Sequence, residues 1–207
     1  MTEPVLRADA QRNRDQIVAA ATSLFVDVGP DVALETVARE AGVGIGTLYR
    51  RFADRETLLH AVLQDALDGL LADMRARDHE ATAWDALVGA LGWSHRLRVV
   101  LALAGTVTVA ESAGLARDAG LTRVRDELVE LVDGLVVAAQ REGSLRTDVA
   151  TGDVILLMAA VSRGLPSGTD RAANAYARAH ALVLDGLRAP ATTRLPGVPT
   201  RVDDLPL

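Results

Sequence analysis

Proline placement limits this chain more than any other feature: of seven prolines, none lies between Asp31 and Leu165. An interior proline costs a helix about 3 kcal/mol. A stretch this long without one, bearing apolar residues every three or four positions, is therefore free to be helical throughout. Ile17, Ala20, Ala21, Leu24, Phe25 and Val28 keep that spacing, and Gly29-Pro30 then stops the helix. A short helix is predicted over 34–41. Asp54 is suited to cap a long one carrying Leu58, Leu59, Val62, Leu63, Ala66, Leu67, Leu70, Leu71 and Met74. At 1.5 Å per residue over about 23 residues, this helix is roughly 34 Å long. Further helices are expected over 82–93, 95–104, 107–117, 121–142, 151–163 and 170–188. The β-branched run VVLALAGTVTV at 99–109 could form a strand, but a lone strand has no partner here, so it is read as helix, a break at Gly105, then helix. Four of the prolines follow Ala189, and 190–207 is expected to be a poorly ordered tail. The fold class is all-α, with an N-terminal domain over 1–55 and a helical domain over 56–189.

Composition removes several function classes. The chain has 207 residues, 49% of them hydrophobic, and can bury a sizeable core. There is no Cys, which excludes disulfides, thiolate metal sites and Cys nucleophiles. All 22 basic residues are Arg, so Schiff-base chemistry and the phosphate-loop lysine are excluded as well. His60, His79, His95 and His180 lie too far apart for metal spacing, and no cofactor motif is present. The polar amino terminus and the lack of a long apolar run point to a cytoplasmic protein. A net charge of -6 argues weakly against nucleic acid, because a DNA footprint needs only a local basic face.

The stretch AGVGIGTLYRRF, residues 41–52, sets Gly42, Gly44 and Gly46 at alternate positions. Glycine loops at helix starts can cradle phosphate. A dinucleotide fingerprint needs a preceding strand and the spacing G-x-G-x-x-G, whereas here an amphipathic helix precedes and the spacing is G-x-G-x-G. The better reading is two helices meeting steeply around a tight turn. Ala38 permits close approach, Gly42 can take positive φ, and Val37, Val43, Leu48 and Phe52 supply the apolar contacts. The second helix, about 46–52, would enter a major groove. Leu48 and Phe52 share its inward face, which leaves Thr47, Tyr49, Arg50 and Arg51 pointing outward. Tyr49 and Thr47 offer hydroxyls to phosphates, Thr47 a methyl to thymine, and Arg50 and Arg51 charge-assisted contacts. Gly44 and Gly46 would bring backbone near the duplex, with Ile45 available for an apolar base contact. Arg55 opposes its own helix dipole, and a DNA phosphate would account for it. Residues 1–55 hold 7 Arg against 8 acids, so positive charge is confined to this edge and to an arm with Arg7, Arg12 and Arg14.

The run from Arg14 through Leu63 resembles the DNA-binding region of TetR-family transcriptional regulators. The features that carry the resemblance are IVAAATSLF before Gly29, VAREAGV, GTLYRRF, and a charged residue followed by LL. It implies that Thr47 and Tyr49 are the family's recognition-helix Thr and Tyr, Phe52 its core aromatic, and Arg55 its basic residue opening the fourth helix. Gly44 and Ile45 depart from the common Ser and Lys. Ala33 replaces the hydroxyl that usually precedes the second helix. The segment AQREGSLRTDVATGDVILLM resembles the family's join between eighth and ninth helices, and AHALVLDGLRA resembles a last helix.

The same resemblance implies a homodimer in which 121–142 and 170–188 form a four-helix interface. Leu121, Val124, Leu128, Leu131, Val132, Leu135 and Val136 are more apolar surface than one amphipathic stripe requires, with burial in the chain's own core the alternative use for them. It also implies a small-molecule effector bound in the helical domain, with Trp84, Trp93, Thr106, Glu111, Met158 and Ser162 as candidate contacts. Glu111 is equally compatible with an exposed position. The function expected is a ligand-released repressor acting on a near-palindromic operator. About four phosphates per subunit would give a salt slope near -7. Two other readings stand beside it. One is a helical small-molecule-binding or scaffold protein that does not read DNA. The other is an enzyme, for which no base and nucleophile pair converges in the sequence.

Overall fold

In the computed structural model, the described residues are 3–29, 31–76, 82–92, 94–104, 118–163 and 170–205. They contain the helices α1 (Glu3–Asp27), α2 (Leu34–Glu40), α3 (Ile45–Arg51), α4 (Arg55–Arg75), α5 (Ala83–Leu91), α6 (His95–Ala104), α7 (Ala119–Glu142), α8 (Thr151–Arg163) and α9 (Asp170–Leu187), and a 3-10 turn at Val202–Asp204. The all-α expectation holds. Among these residues no helix is long and apolar enough to cross a membrane. The helix expected at 107–117 lies outside them.

Both ends of α1 differ from the expectation. The arm is helical, since α1 begins at Glu3 and runs unbroken to Asp27. Val28 is not part of its apolar stripe, because the helix has ended and the side chain is exposed. Gly29, at φ 117°, makes the break, its N–H reaching back to Leu24 O at 3.2 Å.

Three apolar cores run along the molecule. The first joins Ile17 and Phe25 of α1, Val37 of α2, Leu48 of α3 and Phe52 to Leu58 and Val62 of α4, and it takes in Val99 and Leu103 of α6. This core therefore reaches beyond residue 55. The second packs Leu67, Leu70 and Leu71 of α4 on Leu121, Val124 and Leu128 of α7. The third joins α5, α7 and α8 through Trp84, Leu87, Val136, Ala139, Val154 and Met158. Helix α4 thus belongs to two cores, and α6 packs on α1, α4 and α8.

The segment after Ala189, expected to be poorly ordered, is tied to the α7–α8 corner. Arg146 is only 9% exposed and spends its guanidinium on four acceptors. Nε and Nη2 donate to Asp148 at 2.6 and 2.9 Å, Nη1 to Gly186 O at 3.1 Å and Nη2 to Thr193 O at 2.7 Å. Asp148 accepts from Leu195 N, and Asp153 from Thr200 N. A β-carbon at Gly152 would lie 2.6 Å from Arg201 O, so only glycine lets the tail cross α8 here. Prolines disfavour helix but permit such an extended path.

The Arg146 guanidinium, and after it the Leu195 N–H, hold the Asp148 carboxyl well below the usual carboxylate range. A depressed pKa means that the stabilisation is present above the ordinary value of about 4 and is lost only as pH falls through the lowered one. The clasp should therefore be intact at neutral and mildly acid pH. Asp148→Asn is expected to release the tail, read as faster tryptic cleavage after Arg194 and Arg201. Cleavage at the wild-type rate would mean that other contacts hold it.

Candidate nucleic-acid interface

Helix α2 is C-capped by Ala41, whose N–H bonds Val37 O, and Gly42 takes φ 67°. That left-handed residue turns the chain so that Val43 N reaches Ala38 O at 2.9 Å. Ala38 is buried at the crossing, as its small size requires. Helix α3 starts one residue earlier than expected, with Gly44 as N-cap and no side-chain cap, so its first N–H groups have no side-chain acceptor. Leu48 and Phe52 face the core and are buried.

The opposite face of α3 carries the candidate contacts. Tyr49 is 49% exposed, Ile45 lies one turn before it, and Gly44, Gly46, Arg50 and Arg51 are exposed as well. Thr47 is half-buried and accepts from Arg50 Nη2 at 3.1 Å, which joins two candidate phosphate contacts on one side. A β-carbon at Gly44 or Gly46 would meet nothing within 4 Å. Packing inside the chain therefore gives no reason for glycine at either position, and the open space lies on the outward face.

The arginines outside α3 divide. Arg14 lies 5.8 Å over the Phe52 ring, beside the end of α3. Arg12 is ion-paired to Asp9 in its own helix. Two residues apart on a helix, the two side chains leave α1 about 160° apart, so Arg12 starts out from the side opposite Arg14. Arg7 lies in the helix, and its side chain is outside what is described. Arg55 has an intramolecular role that its position in the sequence did not disclose. Its Nη2 donates to Val32 O at 2.7 Å and to Asp31 O at 3.4 Å, tying the start of α4 to the loop before α2. Asp54 caps α4, accepting Thr57 N at 2.7 Å, and that bond holds its carboxyl below the usual range.

A cavity of about 470 Å³ lies at the seam between this head and the helical domain, lined in part by Arg14, Arg51, Phe52, Glu56, His60 and Asp118. His60 Nε2 is buried without a hydrogen bond and lies 3.9 Å from Glu56.

Of the candidate effector contacts, Trp84 and Met158 are buried in one core, and Ser162 lies one turn beyond Met158. The Ser162 hydroxyl is buried and has no partner. The Trp84 ring is covered by the Arg188 guanidinium at 4.7 Å. Trp93, Thr106 and Glu111 lie outside the described residues. Sequence reasoning missed the Arg14–Phe52 contact and the His60 Nε2 left without a hydrogen bond. The first joins positions far apart in the chain and the second depends on what packs around the imidazole, so no local pattern marks either.

Residues 17–62 match the family model for bacterial regulatory proteins of the tetR family. Residues 93–189 match the SbtR-like transcriptional regulator C-terminal domain. An HTH-type transcriptional regulator of Staphylococcus aureus (strain USA300) is 41% identical over 64 residues, which is 30% of this chain and 35% of that protein. The chain thus matches only about a third of the length of such curated relatives. Among solved structures, a TetR transcriptional regulator from Streptomyces coelicolor is 31% identical, with a TM-score of 0.59 over 86% of this chain and 99% of that one. A ketosteroid transcriptional regulator of Mycobacterium tuberculosis shares the fold at a TM-score of 0.59 and 21% identity, over 84% of this chain and 94% of that one. With both domains matched and a whole-length relative above 30% identity, the chain belongs to the TetR family of bacterial transcriptional regulators.

Proposed function

We propose that this chain is a ligand-responsive transcriptional repressor, acting in the cytoplasm, that binds a near-palindromic operator as a homodimer and is released by a small molecule. The observation that carries the reading is the outward face of α3. It exposes Ile45 and Tyr49 one turn apart, with Arg50 and Arg51 following, beside two glycines whose missing side chains nothing in the chain replaces. With glycine and isoleucine at 44 and 45, base reading is mainly apolar contact and shape, while phosphate contacts supply affinity. A two-fold dimer would set two such helices about 34 Å apart or a multiple of it.

Support for the dimer is narrower than the sequence suggested. Leu121, Val124, Leu128 and Val136 are buried in the chain's own cores, and Val132 and Leu135 are half-buried. Leu131 of α7 and Leu182 of α9, the latter 70% exposed, remain on the two helices expected to pair, with Leu156 and Leu157 exposed on α8. An effector among α5, α8 and their neighbours would act through α4, which starts at the Asp54 cap beside the head and packs on α7 in the second core, while α7 also enters the third.

Selection of duplexes from a random pool by the purified protein, followed by a compound screen for release, tests the reading. Failure to enrich any near-palindrome would favour the helical binding or scaffold alternative. Within the reading, Tyr49→Phe deletes one hydroxyl per subunit, and each hydrogen bond lost is worth about 0.5–1.5 kcal/mol. Operator affinity should fall about tenfold with the fold intact, and an unchanged gel-shift titration would exclude a Tyr49 phosphate contact.

A further inference from the structure

Helix α6 is anchored to α4 in a way that the apolar cores do not explain. A β-carbon at Gly69, in the middle of α4, would lie 2.6 Å from Arg96 Cδ and 2.8 Å from Arg96 Cζ. The Arg96 side chain, from the first turn of α6, therefore occupies space that any residue other than glycine would fill. Gly69 does not have a positive φ, so its backbone conformation does not demand glycine, and glycine within a helix is disfavoured relative to alanine. Close approach is what the position provides. One turn along the same face, Asp73 Oδ2 accepts from Arg96 Nη1 at 2.8 Å. Further along α6, Val99 and Leu103 are fully buried in the head core. One ten-residue helix is thus held on α4 by a polar latch and wedged into the reading head by apolar contacts.

We propose that Arg96 is a positioning residue for operator binding: seated in the Gly69 notch and paired with Asp73, it sets the register of α6 on α4 and hence the angle at which α4 carries the head. The inference rests on the operator reading above. Both members of the ion pair are close to half exposed, so the latch adds little to global stability. What it restricts is the relative motion of two packed helices. Such sliding is the kind of motion by which helical domains switch.

The test uses the full-length chain and an operator duplex enriched by the wild type, with affinity and thermal midpoint measured at one salt concentration. In Gly69→Ala the new methyl displaces the flexible end of Arg96 while raising the helix propensity of α4. The midpoint should stay at or above the wild-type value, while operator affinity falls about threefold. Arg96→Ala should show a similar loss, and Gly69→Ala in that background should add none, because the latch is already open. Asp73→Asn, which changes no packing, should weaken binding in the same direction and decides the matter if Gly69→Ala does not fold. Wild-type affinity in Asp73→Asn and in any folded Gly69→Ala, losses that multiply in the double variant, or a midpoint that falls in step with affinity would each overturn the proposal. Enrichment of no duplex by the wild type would overturn the operator reading itself, a result seen before any variant is measured.

Discussion

Leu48→Ala is expected to cost the chain about 2–5 kcal/mol and to abolish operator binding. Leu48 is fully buried in the head core, where it meets the apolar side chains of α1, α2 and α4. Helix α3 has only seven residues and no side-chain N-cap, so it has no means of persisting alone. Its position comes from two inward side chains, Leu48 and Phe52, and from the Gly42 turn behind it. Removing one of the two leaves a cavity under the helix that must present every outward contact. A loss of this size is a large part of the 5–15 kcal/mol that typically holds a domain together. The contrast with Tyr49→Phe separates seat from contact, since the seat variant should lower both melting temperature and affinity and the contact variant only affinity. A circular-dichroism melt and an operator titration both at wild-type values would mean that α3 is held by something other than this side chain.

What was legible in the sequence followed from local periodicity. The apolar positions of α1 from Ile17, of α4 and of α7 repeat at helical spacing, and Asp54 before Thr57 is a cap that can be read directly. Gly42 was legible because a turn between two helices in van der Waals contact needs a left-handed residue. The arm before Ile17 was not read as helix because it lacks an apolar stripe. Its signal was a run of helix-forming Ala, Arg and Gln residues, with the Gln11–Asp15 and Arg12–Asp9 pairs at helical spacing. The tail, the Arg55 clamp and the Gly69 notch were illegible for a different reason. Arg146 meets Thr193 across 47 positions, Arg55 meets Val32 across 23, and Arg96 meets Asp73 across 23. Such contacts are set by how helices stack, and no window of neighbouring residues encodes them. The apolar surplus on α7 was legible in amount but not in use, because only the fold shows that the second core absorbs Leu121, Val124 and Leu128 within one chain.

The salt dependence of operator binding should decide how Arg55 is used. Each phosphate neutralised by a cation releases counterions, so log K falls against log salt with a slope of about -0.9 per contact. If Arg55 contacts DNA along with Arg14, Arg50 and Arg51, a dimer makes about eight contacts and the slope is about -7. In the structure the Arg55 guanidinium is bonded to the Val32 and Asp31 carbonyls, and Arg12 is paired with Asp9. Arg14, Arg50 and Arg51 are exposed, and among the described residues the hydrogen bond to one of them is that of Arg50 to the neutral Thr47 hydroxyl. Three cations per subunit give about six contacts and a slope of about -5, so raising salt from about 50 to about 200 mM should weaken binding roughly 10³-fold. Arg55→Gln should then leave the slope unchanged while weakening binding at every salt concentration, because the α1–α2 loop loses its tie to α4. Arg51→Gln should make the slope shallower by about two, one contact in each subunit. A wild-type slope near -7 that drops by about two in Arg55→Gln would return Arg55 to the DNA and leave the loop without its proposed clamp.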